Sequence, residues 1–295
     1  MHHQIVNRAL GAYLGFALGD ALGATVEFMS PKQIQRRYGV HQDIIGGGWL
    51  GLAPGQVTDD TQMSLALGNA LIEQRSFDLP AIADAFLAWL NNQPPDVGNT
   101  CRQGLLRYRD TGSLAAPYHE QSAGNGGLMR NLPIVLACLN KPQYLAAWSL
   151  AQARITHHHP LSDAATIACA DITRLLLLGH DLSTCQTRVN TLISEFPVFA
   201  FQPYPGKASG YIVDTLQTIL HYFFTTSSFS ECLIATVNQG GDADTTGALA
   251  GMLAGAYYGI EQLPTHWLEK LDISVVHAIK EQVTKLLDNE SVFDG

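Results

Sequence analysis

The sequence predicts an all-α protein built as one compact domain, and three observations predict it. Apolar residues recur at three- and four-residue steps in segment after segment, as expected of helices that bury one face. Strand-like alternation is nearly absent, and no composition shift or low-complexity linker divides residues 1–295. Hydrophobic residues make up 46 % of the chain and charged residues only 15 %, so it can bury a sizeable core and is not disordered.

Helical periodicity places the elements in order. The first is Val6–Phe28, followed by Asp60–Gln74, Leu79–Asn91 and Thr100–Asp110, the last led in by the rigid turn Pro94-Pro95-Asp96-Val97-Gly98 with Asn99 or Thr100 as its cap. Met129–Leu139, Gln143–Ile155, Ser162–Leu178 and Thr184–Glu195 continue the pattern. Pro197–Tyr204 reads as a short extended piece, and Ala208–Phe224, Phe229–Asn238, Thr245–Gly259 and Val275–Leu287 complete the helices. Long connections at 42–55, 92–99 and 112–127 are rich in Gly, Pro and Asn. In a compact helical protein such connections are usually functional.

Two of these helices carry glycine ladders. Gly11, Gly15, Gly19 and Gly23 recur at every fourth position, as do Gly247, Gly251, Gly255 and Gly259. Glycine inside a helix costs about 0.5–1 kcal/mol relative to alanine, so the ladders need a reason. A ridge stripped of side chains lets another backbone approach closely, which suits packing of i, i+4 ridges. Either the two helices face each other, or each is crowded by a different neighbour. Both are expected to be buried and central.

A net charge of −9 argues against nonspecific binding to nucleic acid or anionic membranes. Cys101, Cys138, Cys169, Cys185 and Cys232 are scattered and form no C-x-x-C pair, which fits buried thiols in a reducing cytosol. The apolar run from Ala9 to Gly19 is interrupted by Asp20 and continues as helix-like sequence. It reads as a core helix rather than a signal peptide, and no other stretch reads as a membrane span. The expectation is a cytoplasmic protein.

Most of the chemistry is carried by two short acidic clusters, Thr58-Asp59-Asp60-Thr61 and Asp242-Ala243-Asp244-Thr245-Thr246. Each follows a glycine-containing turn and precedes an apolar helical stretch. Carboxylate and hydroxyl oxygens are hard ligands, suited to Mg²⁺, Mn²⁺ or Ca²⁺. Neither cluster fills a six-coordinate shell by itself, and four converging aspartates would repel unless cations sat between them. The competing reading makes both clusters helix N-caps.

Weaker signals surround these. Glu27 lies between apolar neighbours and reads as an outer partner, an acid/base group or an ordinary helix-end carboxylate. Asp96 is held on its loop by two prolines and a glycine. Gly124-Asn125-Gly126-Gly127 leads into a helix and could offer backbone N–H groups to a phosphate, although it does not match a P-loop. His157-His158-His159 lack zinc-ligand spacing, so substrate contact, capping or exposure fit them better. No nucleophile elbow or dinucleotide fingerprint appears, which favours metal-activated water over a side-chain nucleophile.

Taken in order, Gly19-Asp20-Ala21-Leu22-Gly23 with Glu27, Thr58-Asp59-Asp60-Thr61, Gly124–Gly127 with Met129-Arg130, Thr156-His157, and Asn238-Gln239-Gly240-Gly241 running into Asp242–Gly247 resemble the ADP-ribosylglycohydrolase family over about residues 7–287. Gly46-Gly47-Gly48-Trp49-Leu50, the 97–102 and 151–157 segments and Tyr211-Ile212-Val213-Asp214-Thr215 resemble the branch acting on dinitrogenase reductase. The resemblance implies an all-α fold with a dinuclear Mn²⁺ or Mg²⁺ cleft. Thr58, Asp59 and Asp60 would serve one side and Asp242, Asp244 and Thr245 the other, with Asp244 bridging.

The implied reaction is hydrolysis of the N-glycosidic bond between ADP-ribose and a protein arginine. Asp96 is the favoured acid/base carboxylate and Glu27 the second choice. The loop of Gly124, Asn125, Gly126 and Gly127 would take the diphosphate, Asn99 and His157 would contact substrate, and Tyr211 would stack on adenine. The implied partners are ADP-ribosylated dinitrogenase reductase and a PII signalling protein that draws the enzyme, as a monomer, to a membrane ammonium transporter. Three rivals stand beside this reading: action on serine-linked or free ADP-ribose derivatives, a non-catalytic crystallin-like protein, and a calcium module that lacks the expected loop.

Overall fold

A computed structural model describes residues 2–288. Its helices are α1 (His2–Gly23), α2 (Pro31–Tyr38), α3 (Asp59–Gln74), α4 (Leu79–Asn91), α5 (Asn99–Thr111), α6 (Leu132–Ala137) and α7 (Pro142–Ala153). They continue with α8 (Pro160–Leu177), α9 (Leu182–Glu195), α10 (Ile212–Thr225), α11 (Phe229–Val237), α12 (Ala243–Tyr258), α13 (Thr265–Leu268) and α14 (Ile273–Leu287). Among the described residues no strand forms, as the periodicity predicts. The segment expected to be extended, 197–204, instead opens with a 3₁₀ turn at Pro197–Phe199.

Helices α1 and α12 form the centre. From Ala12 to Gly23 and from Ala243 to Ala256 every side of each helix is buried, the pattern of a helix enclosed by others. They run antiparallel with their glycines facing. A Cβ added at Gly15 would lie 2.5 Å from the Gly251 carbonyl oxygen, and one at Gly247 would lie 2.5 Å from that of Gly19. Gly11 meets Gly255 in the same way, and Gly23 meets Ala243. The two ladders therefore face each other, backbone on backbone.

Ends differ from the periodicity where caps decide them. The first helix stops at Gly23 and residues 24–28 form a turn. Helix α2 was not expected, because only Ile34 of its residues is buried. It is set locally by Pro31 in its first turn and by a capping box between Ser30 and Gln33. Helix α5 has Gly98 at its cap and no side-chain cap bond, so neither Asn99 nor Thr100 is spent on capping. All five cysteines are free and buried, as their spacing predicts.

Candidate metal centre

The pairing of α1 with α12 brings three helix ends to one place. The N-terminus of α12 lies beside the C-terminal end of α1, and α1 in turn binds the N-terminus of α3 through Asp20. The Asp20 carboxylate accepts the backbone N–H of Thr58 at 2.9 Å, the N–H of Thr61 at 3.1 Å and the Thr61 hydroxyl at 2.5 Å. It thereby supplies acceptors to a helix start from another helix. No role for Asp20 was read from sequence. The available signal was a lone carboxylate inside an otherwise apolar glycine ladder.

A second device positions Asp242. Gly240 and Gly241 both have left-handed φ, 63° and 64°, and the backbone carbonyls of Met29 and Ala208 leave no room for a Cβ at Gly240 and Gly241 respectively. The Phe28 N–H donates to the Gly241 carbonyl at 2.6 Å, and the Gly241 N–H donates to that of Met29 at 2.9 Å. Asp242 stands at the cap position of α12 but makes no side-chain cap bond. Its Oδ2 instead accepts the Asn125 side-chain amide at 2.5 Å. Thr58, by contrast, does cap α3 by accepting the Asp60 N–H. The capping reading holds for one cluster and fails for the other.

The two acidic clusters meet. The Thr245 hydroxyl donates to Asp60 Oδ2 at 3.0 Å. Ligand atoms of Asp59, Asp60 and Asp244 lie within 4.8 Å of one another, and so do those of Glu27, Asp242 and Asp244. Asp244 belongs to both groups. The Asp60 Oδ1 atom is buried without a partner, an arrangement that costs free energy unless something positive faces it. Two adjoining groups of hard oxygen donors that share a carboxylate fit a pair of divalent cations.

Charge crowding points the same way. Burial first, and neighbouring carboxylates second, push Asp59 up to about 7 and hold Asp60 and Asp244 well above the usual carboxylate range. Burial raises Glu27 to about 8, against the hydrogen bond from Trp49, and Asp242 to about 6. Asp96 is raised by burial as well. Acids gathered like this hold protons until cations replace them.

The centre opens into a cleft of about 510 Å³. Glu27, Asp59, Asp96, Asn99, Gly124, Asn125, Gly126, His157, Asp242, Asp244 and Thr245 line it. Thr58 and Asp60 are buried beneath that wall. Gly127 packs on Ala153 instead, and Tyr211, 42 % exposed, is outside the lining although its neighbour Gly210 belongs to it.

The 157–159 histidines divide the work. His158 Nδ1 bonds the Ala116 carbonyl and His159 caps α8. His157 is buried against Gly124 and Gly126, whose missing Cβ atoms make room for its ring. Burial, then the Arg130 charge, pushes His157 down to about 3, so it is neutral.

Arg130, fully buried and over the Phe86 ring, donates to Thr156 Oγ1 at 2.9 Å. That hydroxyl lies 2.8 Å from His157 Nδ1. A guanidinium only donates, so the threonine proton is free for Nδ1 and the ring proton is assigned to Nε2, beside the glycines. Arg130 and Thr156 were read from sequence only as parts of motifs.

A family model described as ADP-ribosylglycohydrolase matches residues 1–292. The chain belongs to the ADP-ribosylglycohydrolase family. An ADP-ribosyl-[dinitrogen reductase] glycohydrolase of Rhodospirillum rubrum is 55 % identical over 96 % of this chain and 97 % of its own length. An ADP-ribosylarginine hydrolase Tri1 of Pseudomonas putida is 33 % identical over 91 % of this chain and 75 % of its own. A solved structure titled ADP-ribosylglycohydrolase-related protein complex superposes with a TM-score of 0.86 at 34 % identity, covering 97 % of this chain and 99 % of that one. The ADP-ribosylglycohydrolase fold expected from the motifs is the fold observed. Among the described residues no helix is long and apolar enough to cross a membrane.

Proposed function

We propose that this ADP-ribosylglycohydrolase removes ADP-ribose from an arginine side chain of a protein by hydrolysing the N-glycosidic bond, with ADP-ribosylated dinitrogenase reductase as its substrate. The observation that carries this reading is the meeting of the two acidic clusters around Asp244 at the floor of an open cleft. Two Mn²⁺ or Mg²⁺ ions held by Thr58, Asp59, Asp60, Asp242, Asp244 and Thr245 would activate water and fix the ribose hydroxyls.

The chain's own groups do the rest. Asp96 stands on the cleft wall outside both three-carboxylate groups, so it is free to handle the proton and stabilise positive charge at the sugar. Glu27, inside one group and held by the Trp49 indole, orients rather than transfers. The His157 Nε2–H and Asn99 donate to substrate. Gly124, Asn125 and Gly126 bear the diphosphate, with Gly127 holding the loop against Ala153 behind them and Tyr211 exposed beside Gly210 for adenine.

The same proposal makes this a cytoplasmic, monomeric enzyme that a PII signalling protein draws to a membrane ammonium transporter, a part of it that rests on the motif resemblance alone. The deciding experiment incubates the purified protein, with and without Mn²⁺, with arginine-ADP-ribosylated dinitrogenase reductase. Mn²⁺-dependent release of ADP-ribose is expected. Release from serine-linked but not arginine-linked protein would move the substrate assignment, and no release from either would leave a binding protein.

A further inference from the structure

Two large aromatic side chains stand in solvent at the mouth of the cleft. Phe28 is 66 % exposed and Trp49 55 % exposed. Both line the cleft, and their ring centroids lie 5.5 Å apart at 47°. Packing explains neither exposure. Phe28 also has a φ of 60°, a left-handed conformation that bulky side chains rarely adopt and that tends to mark functional sites. The bonds to Gly241 described above fix it there, so the turn that delivers Asp242 also turns Phe28 outward. Trp49 sits in a tight loop closed by Gly47 and Leu52 pairing both ways at 2.7 and 3.0 Å. Its indole N–H donates to Glu27 Oε2 at 2.6 Å.

We propose that Phe28 and Trp49 form the subsite for the leaving group, the guanidinium and alkyl stem of the modified arginine. This rests on the reading that an arginine-linked bond is cleaved here. A guanidinium is flat, weakly hydrated and cationic, and it stacks on aromatic faces. The carboxylates of Glu27 and Asp96 share the same wall, so the charge is complementary.

Connectivity argues against adenine at this position. Adenine is separated from the scissile bond by two riboses and a diphosphate, whereas the leaving group is attached to it. Trp49 is bonded to Glu27, whose ligand atom is within 4.8 Å of those of Asp242 and Asp244. The rings therefore stand beside the reaction centre, where the leaving group reaches and adenine does not.

The test compares Trp49→Ala, Phe28→Ala and the conservative Trp49→Phe with wild type, after circular dichroism has shown each to be folded. KM is measured on an ADP-ribosyl-arginine peptide with Mn²⁺. Affinities for that peptide and for free ADP-ribose, which lacks the guanidinium, are measured by calorimetry in an Asp96→Asn background. Each alanine variant should raise KM about tenfold, the scale of one stacked cation. ADP-ribose affinity should stay within about twofold, and Trp49→Phe should recover most of the loss.

Unchanged KM in both alanine variants overturns the proposal. So does a parallel fall in ADP-ribose affinity, the result if the rings hold adenine. A wild-type protein inactive on the peptide overturns the functional reading instead. The subsite is then decided by binding: tighter binding of the peptide than of ADP-ribose, lost in Trp49→Ala, upholds it, and equal binding overturns it.

Discussion

The Thr245 hydroxyl donates to Asp60 Oδ2 at 3.0 Å across a sequence separation of 185 residues. This one bond joins the N-terminus of α12 to that of α3. It also leaves Asp60 Oδ1 as the buried, unpartnered oxygen of the site.

That orphaned oxygen makes Asp60→Asn and Asp244→Asn informative. Each keeps the shape of the side chain and removes a ligand charge. Metal affinity should fall by more than the roughly 10–100-fold that changes outside the ligand shell produce, and turnover should fall with it. Circular dichroism should show a native helix content. Near-wild-type calorimetric titration with Mn²⁺ in both variants would return these residues to a structural role.

Asp96 and Glu27 should separate by function. Asp96→Asn should bind metal and ADP-ribose normally and lose at least about 100-fold in turnover, the scale of a removed acid–base group. Glu27→Gln should weaken metal binding, since Glu27 shares a group with Asp242 and Asp244. Normal turnover in Asp96→Asn, with an inactive but metal-loaded Glu27→Gln, would reverse the two roles.

Metal-free stability should fall as pH rises. Asp20 and Asp242 are pushed up to about 6, Asp59 to about 7 and Glu27 to about 8, each chiefly by burial. A carboxyl whose folded pKa is raised binds more protons folded than unfolded, so its stabilisation is complete below about pH 4 and is lost through the folded value. Thermal melts in a chelator should drop between about pH 5 and pH 8, and saturating Mn²⁺ should flatten the profile. A chelated protein equally stable at both ends would contradict the crowding described above.

The glycine interface should tolerate no added carbon. Gly15→Ala and Gly251→Ala each drive a Cβ into the backbone of the facing helix, and at Gly15 into the Phe229 ring as well. A loss of about 1–3 kcal/mol or more is expected, read as a lower melting temperature. Weaker Mn²⁺ binding should accompany it, because α12 carries Asp242 and Asp244 on the displaced end. Gly39→Ala is the converse comparison: Gly39 has a φ of 69° and nothing within 4 Å of its added Cβ, so its loss reads backbone strain without packing, whereas the helical Gly15 and Gly251 carry no such strain.

Only local features were legible along the chain. Helical period, turn glycines and the hard-oxygen clusters depend on residues a few positions apart, and each was legible without knowing its neighbours in space. Caps were legible in kind but not in use: Thr58 caps its helix, while Asp242, in the same sequence setting, turns to Asn125 instead. The facing of the two ladders was beyond local reading, because a stripped ridge states that a backbone comes close and not which one. Tertiary structure decided that Gly19 lies on Gly247, and that single registration brings three helix ends together. It also decided that Asp20 would support α3, that Gly124 and Gly126 would seat His157, and that Phe28 would face water. Those outcomes depend on contacts between residues far apart in the chain, where the cost of a buried charge or a blocked Cβ is set by what the fold places against it.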